Sequence, residues 1–406
     1  MTTMNAHSLF LGSRQLPAFH QAIAACPIAH ARLVAADKKI RAALRAAAKE
    51  VAGSEIRLVA LATRHFVKDH GKPVFDVRFL WQGSKVYKTD IDPAEKPPQQ
   101  SDLDDGVYLR TSFLENTDPA IASERFFQFV ENALRPLCIA EGWKLITDKN
   151  TCVRIEIGDD LHLDLPLYAI PDDEFTTLEK AAMRTFGTDL SEQSGNVLVM
   201  LDRERSLRID PDRVMLAHRK LGWIVSDPRA LHDWFEEKAA EFGAQLKRIC
   251  RYFKAWRDYT FLSGGPESIT LMVCAVIVFE EMRHQLDDDR DDKTFLFIAE
   301  RLPKLFRSDI ENPVLPDNGS VLNNWNDVER QSFIKAAEEL HRNADQALNG
   351  TMHQNITIDR FIESLGDRFP QRPDLVKVEV ETKSATSLST PAIPAALTPV
   401  RSTTSG

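Results

Sequence analysis

Ser101-Asp-Leu-Asp-Asp-Gly-Val-Tyr-Leu-Arg110 places Asp102, Asp104 and Asp105 at the head of an apolar stretch. In an extended chain, alternate side chains share a face, so Asp102 and Asp104 project together while Leu103 and Asp105 point the other way. Two carboxylates held that close repel each other unless a cation lies between them. Mg²⁺ suits such a position, because it takes carboxylate oxygens together with substrate phosphates.

Upstream, Phe75-Asp-Val-Arg-Phe-Leu-Trp81 has Phe75, Val77, Phe79 and Trp81 at period two, as a half-buried strand does. Gly83-Ser84 follows almost at once. Glycine there lets the backbone approach a phosphate without a Cβ in the way, and Ser84 with neighbouring N–H groups can hold its oxygens. Downstream, Leu161-His-Leu-Asp-Leu-Pro-Leu-Tyr168 sets its four leucines on one face and His162, Asp164 and Pro166 on the other. A lone aspartate among leucines is costly if buried without partners. It makes sense if Asp164 joins Asp102 and Asp104 around the same two metal ions, which would stabilise the attacking and leaving oxygens of an in-line displacement. A Gly-Ser turn, an Asp-x-Asp strand and a later strand Asp, in that order, form the pattern of the polymerase-β-like nucleotidyltransferases.

Composition bounds the reading. The chain has 406 residues, enough for two ordinary domains or one bilobal unit. Hydrophobic residues make up 43% and charged residues 27%, a globular balance. A formal net charge of −9 argues against a surface for long nucleic acid, yet leaves small nucleotides open. Cys26, Cys138, Cys152, Cys250 and Cys274 are scattered and contain no CxxC pair, so reduced thiols of a cytoplasmic protein are expected. The apolar run Ile269–Phe279 is well short of the ~20 residues that span a bilayer, and no leader peptide is visible, so no membrane insertion is expected.

The pattern predicts an α+β fold. A helical segment (1–53, with a long helix over 29–51) precedes a nucleotidyltransferase core (54–227) and a helical lobe (228–371). Expected strands are Ile56–Thr63, Phe75–Trp81, Gly106–Thr111, Cys152–Ile157 and Leu161–Tyr168, with a helix over Ala120–Ala140. Expected helices of the second lobe are Arg229–Arg251, Glu267–Gln285, Thr294–Leu305, Asp327–Leu348 and Ile358–Phe369. From Arg372 to Gly406 the chain is rich in Ser, Thr, Pro and Ala without aromatics, and is expected to be disordered. Asp287-Asp-Asp-Arg-Asp-Asp292 fails as a calcium loop, since Thr294 stands where glycine is required, and reads as a solvated loop. His70-Gly-Lys72 lacks the upstream glycine of a phosphate-binding P-loop. His218 reads as a hydrogen-bonded structural histidine and Asp258 as the ion-pair partner of Arg257.

Several stretches carry a closer resemblance. Gln82-Gly-Ser-Lys-Val-Tyr-Lys-Thr89, Asp102-Leu-Asp-Asp-Gly-Val-Tyr108 and His162-Leu-Asp-Leu-Pro-Leu-Tyr-Ala-Ile-Pro171 resemble the cGAS/DncV-like nucleotidyltransferases, most closely their DncV branch. Met215-Leu-Ala-His-Arg-Lys-Leu-Gly-Trp223, Ser226-Asp-Pro228, Lys254-Ala-Trp-Arg-Asp258 and Gly264-Gly-Pro-Glu-Ser-Ile269 extend the resemblance over nearly the whole chain. It implies a polymerase-β-like core with a helical second lobe and the active site in the cleft between them. It implies a cyclic oligonucleotide synthase joining ATP and GTP into a cyclic GMP-AMP-type dinucleotide, with Mg²⁺ (or Mn²⁺) as the ions. It also implies a place in the bacterial antiphage systems called CBASS, where the product activates a separate effector. The resemblance puts Gln82, Gly83, Ser84, Lys254 and Ser268 at the donor nucleotide and Tyr87 against a base. Arg154, one strand before Asp164, is a candidate contact to an acceptor base or phosphate. Gly406 is a candidate attachment point for a ubiquitin-transfer-like partner. Two other readings stand beside this one: a template-independent RNA-extending nucleotidyltransferase and a catalytically silent nucleotide-binding module.

Overall fold

The structure, a computed structural model, describes residues 2–12, 17–53, 76–111, 119–171, 175, 214–315 and 320–380. The elements in chain order begin with β1 (Thr2–Asn5), α1 (His7–Phe10), α2 (Phe19–Ala22), α3 (Pro27–Gly53), β2 (Arg78–Gln82), α4 (Ser84–Tyr87), β3 (Ser101–Arg110) and α5 (Pro119–Glu141). Next come β4 (Lys144–Ile146), β5 (Cys152–Glu156), β6 (Leu161–Ile170), β7 (Met215–His218) and β8 (Gly222–Val225). The helices α6 (Pro228–Phe242), α7 (Ala244–Thr260), α8 (Ser268–Glu281), α9 (Asp291–Arg307), α10 (Asp327–Leu348) and α11 (Gln354–Leu365) follow, and a short 3-10 turn leads into β9 (Lys377–Val380).

A seven-stranded sheet runs β2-β3-β6-β5-β4, with β7 and β8 added beyond β6. β3 and β6 are parallel, and their neighbours pair antiparallel. Both central strands show the alternation their sequences predict: Leu103, Leu163 and Leu165 are buried, while Asp102, Asp104 and Asp164 are half-buried on the opposite face. The leucine face is covered by α3 and α5, through Leu33, Ile40 and Leu44 on one and Phe127, Val130 and Leu134 on the other. Each such fully buried apolar side chain contributes about 1.5–3 kcal/mol, so this layer holds the acidic strands in place.

The second cluster is helical. Phe253, Trp256, Phe279, Phe295, Leu302 and Phe361 are buried in it. The N-terminus is split between the two cores. Helix α3 belongs to the sheet, but Met4, Leu9, Phe10, Phe19 and Ile23 are buried among the helices. β1 also pairs with β9, Thr2 opposite Val380 and Asn5 opposite Lys377. The stretch from Arg372, expected to be disordered, therefore opens with a 3-10 turn and a strand, because β1 offers its backbone a hydrogen-bonded partner. Residues beyond 380, Gly406 among them, lie outside the described residues, as does the expected strand Ile56–Thr63.

Three further expectations are corrected. The single helix predicted over Arg229–Arg251 is two helices, broken at Gly243, whose φ of 76° is open to glycine and strained for other residues. Asp227 caps the first of them, its Oδ1 accepting from Arg229 N and Ala230 N at 2.9 Å each. β3 begins at Ser101, five residues before the predicted Gly106, because β2 and β6 pair with its acidic head and override its low strand propensity. The acidic run 287–292 is not solvated throughout. Asp291 and Asp292 are fully buried, held by Arg248 Nη2 at 2.7 Å and Arg290 Nε at 2.9 Å, and Asp292 Oδ2 also accepts from Ala6 N. These pairs tie the N-terminal segment into the helical core.

Candidate active site

The register of the central strands assembles the site. Asp104 lies opposite Asp164, and Asp102 opposite His162, across the parallel β3–β6 pair. β2 places Gln82 beside Asp104, and β5 places Arg154 beside Asp164. One row across four strands therefore reads Gln82, Asp104, Asp164, Arg154. Neighbouring strands are about 4.8 Å apart, so Asp104 and Asp164 stand side by side on adjacent strands.

The turn after β2 closes on this row. Gly83 has φ 71° and ψ −154°, a region essentially reserved for glycine. A Cβ built there would overlap Asp104 Oδ2 and lie 3.1 Å from Asp104 Cγ. The glycine thus makes room for the carboxylate, a steric requirement that the expected approach of a phosphate did not reveal. Ser84 opens the one-turn helix α4, and Thr89 N returns to Ser84 O at 3.0 Å. Gln82 Oε1 accepts from the Tyr168 hydroxyl at 3.2 Å.

Electrostatics separate the carboxyl groups. Burial and the adjacent Asp102 and Asp164 push the Asp104 carboxyl well above the usual carboxylate range. Burial also opposes ionisation of Asp102, but the Lys254 ammonium, with further positive charge from His162 and Lys85, outweighs it and holds that carboxyl below its ordinary value. Lys254 comes from α7 and is 5% exposed, so its charge acts through little intervening water. Asp164 is met by Arg154, whose Nε and Nη2 donate to Oδ1 and Oδ2 at 2.7 and 2.8 Å.

Other expected site residues are placed as follows. Ser268 opens α8, and its hydroxyl accepts from Arg257 Nη1 at 2.6 Å. Arg257 also holds Asp258 at 2.6 Å, the ion pair expected for that aspartate. Tyr87 is buried, its ring stacked on His232 with centroids 5.9 Å apart and set edge-on to Phe235. His218 is hydrogen-bonded within the β7–β8 turn, Nδ1 accepting from Lys220 N and Leu221 N at 3.1 Å. All five cysteines are free thiols. No helix among the described residues is long and apolar enough to cross a membrane.

Two features had no role assigned from sequence. His162 lies 3.0 Å from Gln100 Oε1 through Nδ1 and 3.9 Å from Asp164 Oδ2 through Nε2. Its period-two position beside Asp164 is the signal that places it there. Asp105, on the opposite face, is fully buried and takes two hydrogen bonds of 2.7 Å from Arg41. Nothing local in the sequence links Arg41 to that strand.

The donor set fits divalent metal. Of the three carboxylates, Asp104 is raised by burial and by the charge of the other two, a cost that a cation would relieve. Among the described residues no group of three or more His, Cys, Asp or Glu side chains is placed to hold a metal ion as the side chains stand. Asp164 is engaged by Arg154 instead.

An α+β sheet with two acidic strands in parallel register, a glycine turn against them and a helical second core is the architecture of a nucleotidyltransferase. Residues 77–168 match the family described as "Cyclic GMP-AMP synthase DncV-like, nucleotidyltransferase domain", and residues 243–378 match "Cyclic GMP-AMP synthase, C-terminal domain". A cyclic GMP-AMP synthase of Vibrio cholerae serotype O1 is 36% identical over 243 residues, 58% of this chain and 54% of that protein. A cyclic GMP-AMP synthase of Escherichia coli strain TW11681 is 30% identical over 297 residues, 72% of this chain and 67% of that one. In the first alignment the chain spans about half the length of its relative. The crystal structure of Vibrio cholerae DncV with the linear intermediate 5′ pppA(3′,5′)pG shares the fold at a TM-score of 0.72 and 24% identity, over 94% of this chain and all of that one. The chain belongs to the DncV-like cyclic GMP-AMP synthase family.

Proposed function

We propose that this protein is a cyclic dinucleotide synthase that joins ATP and GTP. The observation that carries the reading is the row in which Asp104 and Asp164 pair across β3 and β6, with Asp102 on the same face. The relatives named cyclic GMP-AMP synthase, and the pppApG held by one solved neighbour, support the choice of bases.

In each of two rounds, a ribose hydroxyl gives up its proton to solvent as its oxygen bonds to an α-phosphorus, the bond from that phosphorus to the α–β bridging oxygen breaks, and pyrophosphate leaves with the electron pair of that bond. Two Mg²⁺ ions held by Asp102, Asp104 and Asp164, with Mn²⁺ as a substitute, would supply charge stabilisation at the attacking and leaving oxygens. The chain's own groups position the reactants. The Gly83-Ser84 turn receives the donor phosphates, Lys254 and the Arg257–Ser268 pair add positive charge and a hydroxyl from the helical side, and Arg154 meets the acceptor. Tyr87, stacked on His232, shapes the base site from beneath.

The product would act as a second messenger of antiphage defence through a separate effector, as the family resemblance implies. Gly406 would be the point at which a ubiquitin-transfer-like partner attaches the chain to another molecule. Intact-mass analysis after coexpression with that partner tests this, since a Gly406 deletion should lose the adduct.

The deciding experiment incubates the protein with ATP, GTP, CTP and UTP plus Mg²⁺, then applies phosphatase and mass spectrometry beside an Asp102→Asn/Asp104→Asn variant. A phosphatase-resistant cyclic dinucleotide absent from the variant is expected. Linear oligomers would instead mark an RNA-extending enzyme, and binding without turnover a silent module.

A further inference from the structure

Both oxygens of Asp164 are already taken. Arg154 covers them with two charge-assisted hydrogen bonds, in the fork geometry that makes arginine–carboxylate pairs strong. The pair is sheltered, with side-chain exposures of 24% and 15%, so water screens it less than a surface pair. A guanidinium keeps its charge at any physiological pH, so Arg154 does not release the carboxylate by losing its own proton. Asp102 and Asp104 carry no such fork among the described hydrogen bonds. A cation at Asp102 and Asp104 therefore needs no side chain to leave, whereas a cation ligated by Asp164 must displace at least one arm of Arg154.

We propose that Arg154 is a positioning residue that competes with divalent metal for Asp164, and that it yields the carboxylate when a nucleotide phosphate takes its guanidinium. The inference rests on the metal-dependent reading of the site above. It makes the third carboxylate conditional on substrate. Metal binds weakly at Asp164 until an anionic nucleotide draws Arg154 away, and the two events then favour each other, since each removes the partner the other must displace. His162, on the same face and 3.9 Å from Asp164 Oδ2, stays hydrogen-bonded to Gln100 and holds the strand's geometry while the arginine moves.

The test is Mn²⁺ binding read by electron paramagnetic resonance on the full chain, with and without an ATP analogue whose α–β bridge is a methylene group. Four proteins are compared: wild type, Arg154→Gln, Arg154→Lys and Asp102→Asn/Asp104→Asn. Without nucleotide, Arg154→Gln should bind its weaker Mn²⁺ about tenfold more tightly than wild type, equivalent to about 1.4 kcal/mol. Arg154→Lys, which keeps the charge but loses the fork, should fall between them. With the analogue present, the gap between wild type and Arg154→Gln should close to within about threefold, since nucleotide has then removed the competitor in wild type. Equal or weaker Mn²⁺ binding in Arg154→Gln would overturn the proposal. If that variant does not fold, Arg154→Lys decides by the same comparison. If Asp102→Asn/Asp104→Asn binds Mn²⁺ as wild type does, the metal reading itself fails, an outcome separate from the first.

Discussion

Gly83 and Asp104 are sterically linked: the carboxylate occupies the space a side chain on residue 83 would need. The backbone at Gly83 adds a second constraint, with φ 71° and ψ −154°. Gly83→Ala should therefore cost about 1–3 kcal/mol of stability through backbone strain. It should also displace the Asp104 carboxylate and lower cyclic product formation by about 100-fold, a loss of the size a 1 Å misplacement produces. Thermal melting and product quantification measure the two effects separately.

Asp104 should make the metal-free protein sensitive to pH. Its carboxyl is raised above the unfolded value, so its neutral form favours folding at acid pH, and that contribution is lost as pH rises through the folded pKa. Asp104→Asn should abolish activity yet melt higher than wild type near neutrality, with the difference shrinking toward pH 4. Melting curves in chelator across that range are the measurement. Mg²⁺ should raise the wild-type melting temperature more than that of the variant.

Lys254 has the opposite influence on its partner. It holds the Asp102 carboxyl ionised against burial. Lys254→Met should let that pKa rise, moving the acid limb of the pH–rate profile to higher pH. Turnover at neutral pH should fall about 10²-fold, with KM for the donor nucleotide also raised through the lost charge. Initial rates at several pH values and ATP concentrations distinguish this from simple misfolding.

Arg41 and Asp105 form a buried structural pair, with side-chain exposures of 15% and 0%. Arg41→Ala leaves Asp105 beside Asp37 without its counter-charge and should cost about 3–5 kcal/mol in urea unfolding. Removing Arg32 from its pair with Asp160, where both partners are 40% exposed or more, should cost less than about 1 kcal/mol. Equal costs at the two sites would show that Arg41 is not a buried anchor.

The alternation along β3 and β6 was legible because a period of two is written in adjacent residues. Leucines mark one face, and Asp102, Asp104 and Asp164 are forced to the other. Helix α10 was legible to the residue, since Asn326 caps it with a side chain that accepts from Val328 N and Glu329 N. The break at Gly243 was harder to read, because its neighbours are good helix formers and a glycine alone does not announce a positive φ. The buried state of Asp291 and Asp292 was hidden for a different reason: their partners Arg248 and Arg290 make an acidic run tolerable in a core, and at least one of those partners lies far away along the chain.

By itself, then, the amino-acid order determined which residues could share a strand face, where most helices lie, and which strand faces carry charge among leucines. These follow from local geometry and from the cost of unpaired charge. The tertiary structure alone decided that β3 and β6 run parallel with Asp104 opposite Asp164, that Arg154 closes on that carboxylate, and that the first residues of the chain pack with the helices and pair with β9. Those choices depend on contacts between segments distant in sequence, whose register is set by burial of a shared core and not by the preferences of either segment.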